Sequence, residues 1–270
     1  MRDRSRRWAW LGVLVVGLIL YVVVLRTLVH TQNPNFVPAL ILLGATVIPL
    51  SFLTFAQART GRWQVPASAL AVSAFFGGVI GIVVAGTLEY NSLRDLGMLP
   101  LVLVAVIEES AKLIVPIVLL FTIMARHERR LPSDGLIIGV ASGMGFAALE
   151  TMGYAFTALL ESKGNIGAVE QTLFLRGLTS PAGHTAWTGL TAGALWAFIA
   201  TPTGRRLLVL IATFLGAVAL HTCWDTFPGL PAFIILAVVS LGWLFLALRR
   251  YRTFADHDHD HDLGLRPLAI

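Results

Sequence analysis

The chain has 270 residues, of which 56% are hydrophobic and 13% charged, with a mean hydropathy of +0.78. Soluble globular domains carry roughly 25% charged residues, so this chain cannot cover a water-facing surface and its solvent is lipid. The net charge of +5 comes mainly from arginines in short loops, which points to membrane topology rather than nucleic acid. The single cysteine, Cys223, excludes an internal disulfide or a cysteine metal cluster.

Taken in chain order, the apolar runs predict an all-α polytopic membrane bundle of about eight transmembrane helices. They lie near 8–26, 36–57, 66–88, 98–124, 134–160, 181–201, 206–226 and 229–248. The runs are too long and too uniformly apolar for barrel strands, which alternate. The first lacks a following cleavage site and reads as a retained span rather than a signal peptide. Arginines mark every second loop: Arg2, Arg4, Arg6 and Arg7, then Arg59 and Arg62, then Arg126, Arg129 and Arg130, then Arg205 and Arg206, then Arg249, Arg250 and Arg252. The opposite loops are poor in positive charge, with Arg94 in one and Lys163 and Arg176 in a longer one. The positive-inside rule then places both termini in the cytoplasm. Residues 1–252 form one transmembrane domain, and residues 253–270 a disordered cytoplasmic tail containing DHDHDHD at 256–262, a run able to hold a metal only weakly.

Glycines at four-residue spacing, Gly135, Gly139 and Gly143 on span five and Gly189 and Gly193 on span six, predict close helix packing. Trp187, Trp196, Trp224 and Trp243 read as packing or interface residues rather than a stacking platform for substrate. Trp63 and Tyr90, at span ends, read as part of the aromatic belt.

Against this apolar background the stretch VIEESAKLIVP at 106–116 stands out. An ionisable side chain at mid-membrane costs roughly 2.5–3.5 kcal/mol on insertion scales, and here Glu108, Glu109 and Lys112 occur together. Glu150 follows on span five, His184 at the start of span six, and His221 and Asp225 on span seven. Counting at about 1.5 Å per residue puts Glu108 and Glu150 each about 15 Å below the outer end of its span. His184, His221 and Asp225 come out nearer the same face. Helices of alternating direction thus bring their polar groups into one leaflet, which predicts a single site opening to the extracytoplasmic side. Spacing lets Lys112 reach either carboxylate, and puts His221 and Asp225 on one helix face.

Peptide hydrolysis needs an activated water, oxyanion stabilisation and a proton for the leaving amine. A desolvated carboxylate with neighbouring imidazoles can supply these, as can a divalent metal such as zinc with a bound water. Candidate metal ligands are Glu109, Glu150, His184, His221 and Asp225. There is no H-E-x-x-H and no G-x-S-x-G near these groups, so zincin and serine-nucleophile chemistry find no support.

The pattern Glu108-Glu109-x-x-Lys112, Phe146-x-x-x-Glu150, His184 and His221-x-x-x-Asp225 resembles the PrsW family of intramembrane proteases, within the CAAX protease and bacteriocin-processing superfamily. The resemblance covers about residues 98–226. It implies an endopeptidase cutting membrane-anchored protein substrates near the outer face of a bacterial plasma membrane, with first-site cleavage of an anti-sigma factor as the best-known role. It implies that Glu108, Glu109, Lys112, Phe146, Glu150, His184, His221 and Asp225 form the catalytic set, with Glu108 or Glu109 as base. Both metal-dependent and glutamate-activated chemistry are described in the superfamily. A proton- or cation-coupled transporter is the rival class, but it calls for polar groups along both halves of the bundle, and spans four to seven are almost purely apolar on the cytoplasmic side. A non-catalytic membrane scaffold, the third class, needs no complete set.

Overall fold

The computed structural model describes residues 2–60, 65–122 and 131–262. Among them there is no strand. Ten α-helices follow in order: α1 Arg2–Thr31, α2 Val37–Gln57, α3 Ala67–Leu96, α4 Leu101–Lys112, α5 Ile114–Phe121, α6 Pro132–Glu161, α7 Ile166–Thr179, α8 His184–Ala200, α9 Gly204–Thr226 and α10 Leu230–Asp262. Six stretches are long and apolar enough to cross a membrane: Arg7–Thr31, Pro34–Gln57, Ala67–Leu96, Pro132–Glu161, Gly204–Thr226 and Leu230–Arg252. The chain is an all-α, multi-pass membrane protein. The backbone of the Asp/His-rich tail continues α10 as far as Asp262, and residues 263–270 lie outside the described residues, as do Trp63 and the basic stretch with Arg126, Arg129 and Arg130.

Three departures from the expected spans bear on the site. Span four is divided: α4 stops at Lys112 and α5 starts at Ile114. Pro116 is the physical cause. Proline has no N–H, so nothing in the next turn donates to the carbonyl four residues back, that of Lys112. Ser142 on α6 takes over, its hydroxyl donating to the Lys112 carbonyl oxygen at 2.7 Å. Second, α3 runs well past residue 88, to Leu96, where Gly97 ends it in a left-handed conformation (φ 70°). Third, the connection at 161–180 contains a helix. Asn165 caps α7, its side chain accepting from the Gly167 N–H at 2.9 Å. With 14 residues, α7 is about 21 Å long, too short for a hydrocarbon core of about 30 Å. It buries Val169 and Leu173 in a cluster with Leu28, Leu40, Ile41 and Ala155.

α6 is the axis of the bundle, and α3 and α8 flank it. Close approach on both sides comes from missing side chains. A Cβ at Gly135 would strike the Trp196 ring, and one at Gly139 would meet Thr188 and Ala192. At Gly143 it would run into the His184 carbonyl oxygen, and at Gly145 into the Ala74 carbonyl on α3. Trp187 and Trp196 are fully buried in the core, so both are packing residues.

The Gly143 contact links packing to the site, because it fixes how closely the start of α8 approaches α6. Gly143→Ala should destabilise the fold by about 1–3 kcal/mol, as overpacking does. Gly153→Ala, whose added methyl would meet nothing within 4 Å, should be neutral or stabilising by about 0.5–1 kcal/mol. Thermal unfolding in detergent checks both; equal midpoints for the two variants would contradict the close approach.

Candidate functional site

The polar residues of α4, α6, α8 and α9 meet in one cluster at the end of the bundle where α3 joins α4 and α6 joins α7. Lys112 is its centre. The side chain has no exposure, yet every ammonium hydrogen has an acceptor. Nζ lies 2.9 Å from Glu108 Oε2, 2.9 Å from Glu109 Oε1 and 2.7 Å from His184 Nδ1. The Phe146 ring covers it, 4.0 Å from Nζ to the ring centroid, a cation–π contact strengthened by exclusion of water.

Hydrogen-bond logic then orients the imidazoles. An ammonium only donates, so His184 Nδ1 accepts, and the ring proton sits on Nε2. That nitrogen is 3.0 Å from Glu150 Oε2, to which it donates. His221 is almost fully buried; its Nδ1 is 3.1 Å from Glu109 Oε1, and its Nε2 is 3.4 Å from Asp225 Oδ2. Trp187 stacks on the His221 ring (centroids 5.1 Å apart, planes at 25°), and its own indole N–H donates to Ser240 at 3.0 Å. Phe146 and His184 meet edge to face at 5.2 Å.

All eight residues singled out from the sequence, Glu108, Glu109, Lys112, Phe146, Glu150, His184, His221 and Asp225, are thus gathered here, with Asp225 at the more exposed rim. Arg176 was missed. On α7, it donates from Nη2 to Glu150 Oε2 at 2.6 Å and lies over the Tyr154 ring. A signal existed, since Arg176 is one of the few cations in the loops that the sequence shows to be charge-poor. Pro116, Ser142 and Trp187 were likewise invisible as site-shaping residues, because each acts through a contact distant in sequence.

Among the described residues the compact metal-competent group is Glu108, His184 and His221, with one ligand atom from each all within 4.8 Å of one another. Glu108 was not among the expected ligands. Glu109 instead has Oε1 engaged by Lys112 and His221, while its Oε2 is buried and unpartnered among the described residues. Glu108 Oε2 is 3.7 Å from His221 Nε2 and 4.0 Å from His184 Nε2, against about 3.3 Å between ligand atoms around tetrahedral zinc. Two imidazoles and a carboxylate are also a familiar catalytic zinc set. The residues therefore fit a divalent ion. Ligation through His184 Nε2 would require the ring proton to move from Nε2 to Nδ1, which would then no longer accept from Lys112.

Removing the central cation should be severe. Lys112→Met leaves two buried carboxylates without their counter-charge, for an expected loss of about 3–5 kcal/mol. Resistance to limited proteolysis and the unfolding midpoint in detergent measure it. A midpoint within a degree of wild type would show that Lys112 does not hold the cluster together.

None of the curated proteins and none of the solved structures compared with the chain matches it. The family model described as PrsW family intramembrane metalloprotease matches residues 61–248, more than half of the chain and every residue of the cluster. With the charged cluster on four helices and the match running across all of them, the chain belongs to the PrsW family of intramembrane metalloproteases.

Proposed function

We propose that this intramembrane protease hydrolyses a peptide bond of a membrane-anchored protein close to the extracytoplasmic face of a bacterial plasma membrane, with Glu108 as the carboxylate that meets the attacking water. Both termini then face the cytoplasm, residues 1–252 act as one transmembrane catalytic domain, and residues 253–270 form an appended tail. First-site cleavage of an anti-sigma factor is the role that the family resemblance favours. The single observation that supports the reading most is the bonding of Lys112 Nζ to Glu108, Glu109 and His184 together.

Exposure separates the two adjacent glutamates. The Glu108 side chain is 12% exposed and that of Glu109 1%. Glu109, gripped by Lys112 and His221, orients those two groups. Glu108 accepts the proton of the water as its oxygen adds to the scissile carbonyl carbon. The developing oxyanion accepts a hydrogen bond from Nε2 of a doubly protonated His221, whose Nδ1–H donates to Glu109 and whose ring Trp187 backs. When the C–N bond breaks, Glu108 returns its proton to the leaving amine. Glu150, fixed by Arg176, keeps His184 in the tautomer that accepts from Lys112. In the alternative route a divalent ion such as zinc, held by Glu108, His184 and His221, would replace the His221 Nε2 donor, polarise the carbonyl and make a bound water more acidic.

The test is co-reconstitution in liposomes with single-pass reporter substrates. Glu108→Gln should lower kcat/KM by about 10²–10⁴, the usual loss for a positioned base, while retaining the wild-type unfolding midpoint to within a few degrees. A chelator that abolishes cleavage, with recovery on adding zinc, assigns the metal-assisted route; cleavage that survives the chelator assigns the carboxylate alone. A wild type inert on every anchored substrate, or a fully active Glu108→Gln, would overturn the assignment.

A further inference from the structure

A fifth helix sends a carboxylate to the same place. On α3, Gly81, Ala85 and Glu89 are spaced by four, so they form one stripe. Gly81 faces the site's inner wall: a Cβ there would press on the Phe146 ring and stand 4.0 Å from the Lys112 Cα. Ala85 is buried with Ile107, Ala111 and Phe146. Glu89 is the next step of that stripe toward the α3–α4 connection. It lies about seven residues before the end of α3, and Glu108 about seven after the start of α4, so in this antiparallel pair both sit at one level, about 10 Å from the loop.

Glu89 is within electrostatic reach of Glu108, Lys112, Glu150 and His221. Its Oε1 is shielded from solvent and has no hydrogen-bond partner among the described residues. The cations of the cluster are committed elsewhere. Lys112 serves Glu108, Glu109 and His184, and Arg176 serves Glu150 and Thr151. A shielded carboxylate oxygen without a donor is costly, and the surplus of carboxylates over Lys112 and Arg176 makes a field that draws in positive charge.

The geometry points to Glu89 as a specificity-determining residue whose carboxylate receives a Lys or Arg side chain of the substrate beside the scissile bond. This rests on the proteolytic function proposed above. The substrate class it names is a membrane-anchored chain with a basic residue flanking the cleavage site, near the end of the bundle where α3 joins α4. The partly exposed side chain supplies the way in, and the field of Glu108 and Glu150 adds to the preference for a cation.

The experiment uses the full chain in lipid nanodiscs and anchored peptides differing at one flanking position, Lys, Arg, norleucine or Glu. Both kcat/KM and peptide affinity by fluorescence anisotropy are read, so that a variant with no turnover is still scored. In wild type the Lys and Arg peptides should exceed norleucine by about tenfold or more, as for a shielded charge pair. Glu89→Gln should bring that ratio close to one, and Glu89→Lys should favour the Glu peptide. An unchanged ratio in Glu89→Gln, or a wild type indifferent to the flanking charge, overturns the proposal. If wild type binds the Lys peptide selectively, loses that selectivity on Glu89→Gln, yet cleaves nothing, the recognition stands and the proteolytic function falls.

Discussion

The structure depends on one buried ammonium. Lys112 has no contact with solvent, and the idealised cost of taking such a charge from water is of order 20 kcal/mol before compensation. Compensation here is complete in number: three hydrogens, three acceptors, and an aromatic ring on the remaining side. Two of the acceptors come from its own helix, at three and four residues back. The third comes from α8 and the ring from α6. The ammonium therefore joins three helices, and neither carboxylate of α4 is tolerable at this position without it.

Placing that charge correctly requires the backbone to yield. Pro116 interrupts α4 just beyond Lys112, and the freed carbonyl is returned to a hydrogen bond by Ser142. In lipid an unpaired carbonyl would be expensive, so the break is stable only because α6 lies close enough to donate. The glycines of α6 make that closeness possible, with Gly143 against the first residue of α8 and Gly145 against α3. Backbone break, helix contact and charge cluster are consequences of one another.

Around this centre the site is graded from fixed to accessible. Glu109 and His221 are almost wholly enclosed, and Trp187 backs the imidazole while bonding Ser240 on α10. Glu108 is slightly open, and Glu150 and Asp225 more so. The short helix α7 lies over the more open side of the cluster, to which it is tied by Arg176, set between Glu150 and the Tyr154 ring. Under the proposed function the enclosed groups hold orientation and the open ones meet the substrate.

Composition by itself determined that the chain is helical and lies in lipid, because so few charged residues leave no other solvent for it. Spacing within single helices was also legible: Lys112 with Glu108 and Glu109, and His221 with Asp225, since such pairs follow from the helical repeat alone. The convergence of four helices on one level could be counted out from span lengths. What sequence could not decide was anything set by contacts between helices. Glu89 lies one residue beyond the expected end of its span and was not singled out, because apolar runs mark membrane boundaries and not where a helix stops. Arg176 belonged to a connection with no apolar period long enough to reveal α7 as a helix. What separates Glu108 from Glu109 is burial and the His221 nitrogen each one faces, Nε2 for Glu108 and Nδ1 for Glu109, since Lys112 bonds both alike; adjacent residues of one helix look the same until α8 and α9 are packed against them.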